Sequence, residues 1–184
     1  MTGHIWELGG GTHLSKLLDV PLTADTLRNM TIILVLDLSN PGEMWYTADT
    51  LLKAARSRID ATFHQMSKQD PGLQQKFLKA AWNRIGGKDR SDAHIINPFP
   101  VPLVIIGSKF DKFQEMDADH KKVITLFIRY LALSNGATAM FMSSKIEATI
   151  KGLRHLHECS RVRWTFEQNA SNRQQTSAVC AGWH

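Results

Sequence analysis

Cysteine is scarce in this sequence, since its 184 residues include only Cys159 and Cys180. Two cysteines near one end cannot form the disulfide framework that holds many small secreted domains, so we expect a reducing compartment. No apolar run approaches the ~20 residues that span a bilayer, and we therefore predict no direct membrane insertion. Residues 1–11 also lack the basic and apolar regions of a secretory signal.

The sequence also contains no set of possible metal ligands with the spacing of a known metal site. The possible ligands near the C-terminal end are His155, His157, Cys159, Cys180 and His184. Their spacings match no structural zinc pattern, because such sites pair their ligands at short, regular intervals. We therefore predict no metal and no cofactor.

The composition is that of an ordinary globular protein, with 43% hydrophobic and 21% charged residues. This apolar content excludes a wholly disordered chain. The length corresponds to one domain, or to one domain and a tail. We predict a domain over residues 1–157 and a polar tail, rich in Asn, Gln and Ser and expected to be disordered, over 158–184.

Positive charge is concentrated in one segment. Residues 53–90 hold nine of the 22 basic residues and three of the 17 acidic ones, a balance of +6 in a chain of net charge +5. Such a segment could face nucleic acid, a membrane surface or an acidic protein, or form a solvated helical face. No aromatic residues alternate with the charges as a base-stacking platform requires, so we predict no nucleic-acid partner.

Three apolar segments predict strands at residues 31–38, 101–107 and, more weakly, 137–142. Their apolar residues are continuous rather than alternating, which is typical of strands that are covered on both faces.

Helical periodicity lies between these strands, at residues 45–66, 73–85, 117–134 and from about 146 onward. The inner face of the first helix is predicted to contain Trp45, Ala48, Leu52, Ala55, Ile59, Phe63 and Met66. That of the third is predicted to contain Val123, Leu126, Phe127, Tyr130 and Leu131. Strands that alternate with helices predict an α/β fold with a mostly parallel sheet between helical layers.

Two strand ends carry residues typical of guanine recognition. The second strand ends in Gly107-Ser-Lys-Phe-Asp111, and the third is followed by Ser143-Ser-Lys145. In guanine-binding proteins the Asp that ends a Ser/Asn/Thr-Lys-x-Asp segment accepts N–H bonds from the base, and the stem of the Lys packs along the ring. Each segment could equally be a polar strand-to-helix turn.

A third motif is Ile5-Trp-Glu-Leu-Gly-Gly10, in which Glu7 and Gly10 stand where such enzymes have Asp-x-x-Gly. It could also be a simple glycine-rich turn. The phosphate-cradling sequence Gly-x-x-x-x-Gly-Lys-Ser/Thr does not occur in these 184 residues. Without it, tight triphosphate binding loses its main positioning element.

These segments together resemble the dynein light intermediate chains, in particular their dynein-2 branch. The resemblance rests on residues 5–11, 32–41 and 102–111, in that order. It implies a truncated Ras-like, P-loop-NTPase-like three-layer domain that lacks the first strand and the phosphate loop. That missing strand would lie between strands at residues 4–8 and 31–38. A shortened or alternatively spliced form would account for this.

The family's base-reading loop maps onto Ser108, Lys109 and Asp111 of this sequence, and its second loop onto Ser144 and Lys145. Glu7 and Gly10 map onto its switch segment, with Glu in place of Asp. These positions are expected to be vestigial in nucleotide binding.

The resemblance also implies a function. It predicts a non-catalytic subunit that binds the dynein-2 heavy-chain tail, works with the intraflagellar-transport machinery in retrograde transport and supports cilium assembly. The expected locations are the cytoplasm, the cytoskeleton, the cilium and the ciliary base or centrosome.

Our own inference from the charge pattern places a partner-binding surface on residues 43–86, with Lys76, Lys79 and Arg84 as contacts. Two alternatives to the subunit remain open at this point. One is a small GTPase-like guanine-nucleotide-binding protein, and the other is a non-functional splice form.

Overall fold

A computed structural model describes residues 4–68 and 70–152. The strands are β1 (Ile32–Asp37), β2 (Leu103–Ser108) and β3 (Thr138–Phe141). The helices are α1 (Pro41–Met66), α2 (Leu73–Arg84), α3 (Phe110–Gln114) and α4 (Ala118–Asn135). Short 3-10 helices span Ser15–Asp19, Leu27–Asn29 and Ala93–Ile95, and residues 147–152 are helical. The predicted tail at 158–184, with its boundary, lies outside the described residues.

The three strands form one parallel sheet in the order β1-β2-β3. Ile32 pairs with Leu103, and Val104 pairs with Thr138. Parallel neighbours need long crossover connections, and the helices between the strands provide them. The predicted mixed α/β fold with a parallel sheet is confirmed. Among the described residues, no helix is both long and apolar enough to cross a bilayer.

Helix α1 begins at Pro41, whose fixed φ suits the first helical position. Its buried residues are Met44, Ala48, Leu52, Ala55, Ile59, Thr62 and Phe63. Most of the predicted stripe is therefore confirmed, but Trp45 is 59% exposed and Met44 takes its place in the core. Adjacent apolar residues at 44 and 45 fit the same period, so packing against the sheet decides which of them is buried.

One face of the sheet carries the main core. Leu34 and Leu36 of β1 and Leu103 and Ile105 of β2 belong to one apolar cluster with residues of α1 and α4. Burial of this kind contributes ~25 cal/mol per Å² of apolar surface and holds the helices to the sheet.

The opposite face differs between strands. Val104 and Ile106 of β2 are buried, whereas Ile33 and Val35 of β1 are 51% and 54% exposed. The prediction that these strands are covered on both faces is thus wrong for β1, and also for β3, in which no residue is buried. Among the described strands β1 and β3 lie at the two edges of the sheet with one neighbour each, so fewer elements cover them.

No strand forms at residues 4–8, where one was predicted. These residues have no regular structure, and Ile5 and Trp6 are 89% and 66% exposed. A strand requires a hydrogen-bonded neighbour, and no described strand pairs with this segment.

The predicted inner face of α4 is only partly confirmed. Its buried residues are Ile124, Ile128, Leu131 and Ala132. Leu131 is buried and Phe127 packs against the core as predicted, but Val123, Leu126 and Tyr130 are exposed. The helix carries apolar residues around most of its circumference, so periodicity alone could not show which side meets the sheet.

Candidate functional site

The carboxyl ends of the three strands meet at one edge of the sheet, as parallel pairing requires. Asp37 at the end of β1 pairs with Ser108 at the end of β2, and Gly107 pairs with Phe141 of β3. The polar residues that follow each strand are thereby brought together. This edge is where open α/β sheets usually place ligand sites.

Asp111 is the centre of the cluster on the β2 and β3 side. Ser143 Oγ donates to Asp111 Oδ1 at 2.7 Å, and Lys145 Nζ donates to Oδ2 at 2.7 Å. These bonds, the one from Lys145 first, lower the pKa of Asp111 from 3.8 to about 2. The same pair raises the pKa of Lys145. Both carboxylate oxygens therefore already have a donor from within the chain.

Ser143 is a site residue that the sequence analysis missed, because the family pattern pointed to Ser144. Ser143 is 1% exposed, and its Oγ accepts the Lys145 backbone N–H at 3.1 Å while it donates to Asp111. Ser144 is exposed. The adjacent serines could not be told apart by type, and only the direction of the turn after β3 distinguishes them.

Lys109 forms a second ion pair at the β1 side. It lies in the left-handed region at φ 56°, and its Nζ is 2.6 Å from Asp37 Oδ2 and 3.4 Å from Ser39 Oγ. Partial burial raises the pKa of Asp37, but the hydrogen bonds from Lys109 and Ser39 outweigh this effect and lower it overall. The sequence analysis did not identify Asp37 as a site residue.

Ser108 fixes the backbone between these pairs. Its Oγ donates to the carbonyl oxygen of Leu36 at 3.0 Å, so the hydroxyl ties β2 to β1 just before the loop. Ser108, Lys109, Asp111 and Lys145 are thus brought to one edge of the sheet. Lys145 bonds to Asp111, and the other partners of these residues include Leu36, Asp37 and Ser143.

Comparison with curated proteins reveals close relatives. The cytoplasmic dynein 2 light intermediate chain 1 of Homo sapiens is 44% identical over 177 residues, which cover 96% of this chain and 47% of the relative. The chain is homologous to the dynein light intermediate chains. The protein of the same name from Danio rerio is 43% identical over 147 residues, 80% of this chain and 40% of the relative. The family resemblance seen in the sequence is confirmed.

The present chain spans about half the length of the curated relatives that it matches. A solved structure described as the dynein light intermediate chain's conserved domain superposes with a TM-score of 0.53 at 19% identity. The superposition covers 73% of this chain and 49% of that one, and at this identity it supports the fold alone. No protein-family model matches the chain.

Glu7 and Gly10 of this chain are not bonded to the polar residues at the carboxyl ends of the strands. Glu7 is exposed and lies in the segment without regular structure, and Gly10 makes a turn with φ 81°. Within residues 4–68 and 70–152, no hydrogen bond or ion pair links either residue to Asp37, Lys109 or Asp111.

The predicted partner contacts on α2 have different surroundings. Lys76 is exposed and pairs with Asp70 at 2.9 Å, while Lys79 is exposed. Arg84 is only partly exposed, and its Nη2 donates to the carbonyl oxygens of Phe99 and Pro100 at 2.6 and 3.2 Å. The structure thus gives Arg84 an internal role, and Lys76 and Lys79 are the exposed members of the set.

The ion pairs at the carboxyl ends of the strands limit which ligands this edge of the sheet can bind. Each of the carboxylates Asp37 and Asp111 has a lysine ammonium in contact, so the charges are balanced pairwise. Ser143 and Lys145 each occupy one acceptor position on Asp111, so fewer lone pairs of the carboxylate remain for a guanine base. In the part of the chain that the structure describes, no group of three or more His, Cys, Asp or Glu side chains could hold a metal ion.

Proposed function

We propose that this chain is a subunit of the cytoplasmic dynein-2 complex that binds the heavy-chain tail and supports retrograde intraflagellar transport and cilium assembly. The observation that carries the proposal is the 44% identity, over 96% of the chain, to proteins named cytoplasmic dynein 2 light intermediate chain 1. Such a subunit would act in the cytoplasm and at the ciliary base, on the cytoskeleton and in the cilium.

The proposed role is non-catalytic. Phosphoryl transfer depends on a positioned phosphate cradle, and the 184 residues contain no Gly-x-x-x-x-Gly-Lys-Ser/Thr sequence. The residues that match the base-reading loops bond to each other, since Asp111 is held by Lys145 and Ser143. In this proposal the bonds from Ser143 and Lys145 to Asp111 serve to join the segments that follow β2 and β3. The residues expected to be vestigial in nucleotide binding are Ser108, Lys109, Asp111, Ser144 and Lys145.

Association with the heavy chain can be tested by co-purification. The chain would be co-expressed with the dynein-2 heavy-chain tail and analysed by size exclusion, with the full-length human relative in parallel. Stable co-elution of the chain would support the proposal. Binding by the full-length relative without binding by the chain would contradict it, and would favour the non-functional splice form.

A second candidate function is guanine-nucleotide binding, which the proximity of Lys109, Asp111 and Lys145 at one edge favours. Titration of the purified chain with a fluorescent GDP or GTP analogue would test it. Saturable binding that Asp111→Asn weakens would support a GTPase-like role. The subunit proposal expects no saturable binding by either protein.

A further inference from the structure

The outer side of α4 carries three exposed apolar residues. Val123, Leu126 and Tyr130 are 65%, 56% and 56% exposed. Their spacing of three and four residues places them on one side of the helix, along about two turns or ~10 Å. Single exposed apolar residues are ordinary, but contiguous ones mark interaction surfaces.

This apolar row continues onto α1. Phe127, one residue after Leu126, is partly buried and contacts Trp45, with ring centroids 5.5 Å apart. Trp45 itself is 59% exposed. Aromatic side chains at the centre of a surface provide large contact area at little cost in conformational entropy, and they dominate the binding energy of many interfaces.

The other flank of the row is positively charged. Lys122 and Arg129 stand seven residues apart on either side of Leu126, and both are exposed. With Lys121 they border a shallow depression that reaches Leu126 and Phe113, and no carboxylate lines it. We name Val123, Leu126, Tyr130, Lys122 and Arg129 the outer α4 face.

The charge of this surface restricts what can cover it. Residues 158–184 contain three arginines and two glutamates, so their net charge has the same sign as that of Lys122 and Arg129. A second copy in a two-fold contact would bring these cations against themselves. A complementary occupant has apolar residues flanked by Asp or Glu.

We propose that the outer α4 face is a docking surface for an acidic amphipathic helix of the dynein-2 heavy-chain tail. This assignment rests on the proposed function and names its contact surface. A helix that lays apolar residues at i, i+3 and i+7 along Val123, Leu126 and Tyr130 would bring flanking carboxylates to Lys122 and Arg129. The apolar row would hold the partner, and the cations would accelerate its association.

Two variants of the whole chain test the surface against the heavy-chain tail. One combines Val123→Ser, Leu126→Ser and Tyr130→Ser, and the other combines Lys122→Glu and Arg129→Glu. A control with the same charge change combines Lys16→Glu and Arg28→Glu, which are exposed on the 3-10 helices before β1. Because the changed side chains are exposed, circular dichroism and the melting temperature should match those of the unchanged chain.

Affinity for the tail would be measured by biolayer interferometry at two salt concentrations. We expect each α4 variant to raise Kd about tenfold or more, with the charge variant also losing part of the salt dependence. The control should bind like the unchanged chain. If the unchanged chain binds and both α4 variants bind equally well, the surface assignment is wrong although the proposed function stands.

Other outcomes are also decisive. If the unchanged chain does not bind the tail while the full-length human relative does, the proposed function fails and the assignment fails with it. If sedimentation shows that the chain alone self-associates and that the serine variant is monomeric, a second copy occupies the face. If removal of residues 153–184 alone strengthens tail binding about tenfold, that segment covers the face. Either result would overturn the assignment.

Discussion

The ammonium group of Lys145 lies 2.7 Å from Oδ2 of Asp111, although the two residues are 34 positions apart in the sequence. This pair joins the turn after β3 to helix α3, which follows β2. It also takes up an acceptor position on the carboxylate that a guanine base would use. The same contact thus stabilises the sheet edge and limits what the edge can bind.

We predict that the pKa of Asp111 depends on Lys145. Replacing Lys145 with Gln should raise this pKa from about 2 toward its ordinary 3.8, because the largest stabilising partner of the carboxylate is lost. Since the folded-state pKa is the lower one, the stabilising effect of the pair is complete above about pH 4. It should disappear as the pH falls toward 2. Carboxyl-carbon NMR titration measures the shift.

Lys112 provides a matched control for this titration. It lies one residue after Asp111 but pairs with Glu115 at 3.1 Å. Lys112→Gln should leave the Asp111 titration close to that of the unchanged chain. Equal shifts in both variants would mean that net charge, and not the direct contact, sets the pKa.

Ser143 and Ser144 should respond differently to the same substitution. Ser143→Ala removes the donor to Asp111 and leaves the Lys145 backbone N–H without its acceptor. We expect a loss of about 1–3 kcal/mol in the free energy of unfolding. Ser144→Ala, at an exposed position, should change it by less than about 0.5 kcal/mol. Urea unfolding measures both, and equal losses would contradict the assigned roles.

Gly107 should not tolerate a side chain. A Cβ there would lie 2.9 Å from Leu38 Cδ2 and 3.0 Å from Phe141 Cδ1, inside the packed core. Gly107→Ala should therefore destabilise the fold by about 1–3 kcal/mol through overpacking. Gly9→Ala is the control, because nothing lies within 4 Å of its added Cβ. A thermal melt in which Gly107→Ala matches Gly9→Ala would show that the strand ends are looser than described.

Arg84 and Lys79 are two basic residues of α2 with different surroundings, since Arg84 bonds to backbone carbonyls and Lys79 is exposed. Arg84→Ala removes the donor to the Phe99 and Pro100 carbonyl oxygens. We expect a loss of about 1.5–3 kcal/mol, the range for hydrogen bonds from charged groups. Lys79→Ala should change stability by less than about 0.5 kcal/mol. Comparable stability in both variants by chemical unfolding would contradict the internal role.

The predicted elements and the observed ones agree where the sequence signal is long and continuous. The apolar runs at 31–38 and 101–107 match β1 and β2, and the period of 45–66 matches α1. Runs of this kind can be read locally, because a strand or a long amphipathic helix needs its own residues to be apolar whatever its neighbours are.

The candidate site was predictable in composition but not in pairing. Ser108, Lys109, Asp111 and Lys145 were identified from motif and resemblance, and they meet at one edge because parallel strands end there. Ser143 and Asp37 were missed as partners. Their roles depend on the direction in which a turn leads, and local sequence does not specify that direction.

What the sequence by itself determined is the order of the three strands and the long helices between them, the positions of the polar residues after each strand, and the similarity to the dynein light intermediate chains. These follow from local apolar patterns and from similarity along the chain. Only the tertiary structure decided that Ile124 and not Val123 packs inside, that Val35 is exposed, and that Arg84 binds backbone carbonyls. The physical reason is that burial depends on which elements meet in space. A residue of suitable type at a suitable period remains exposed when no neighbouring element packs against it.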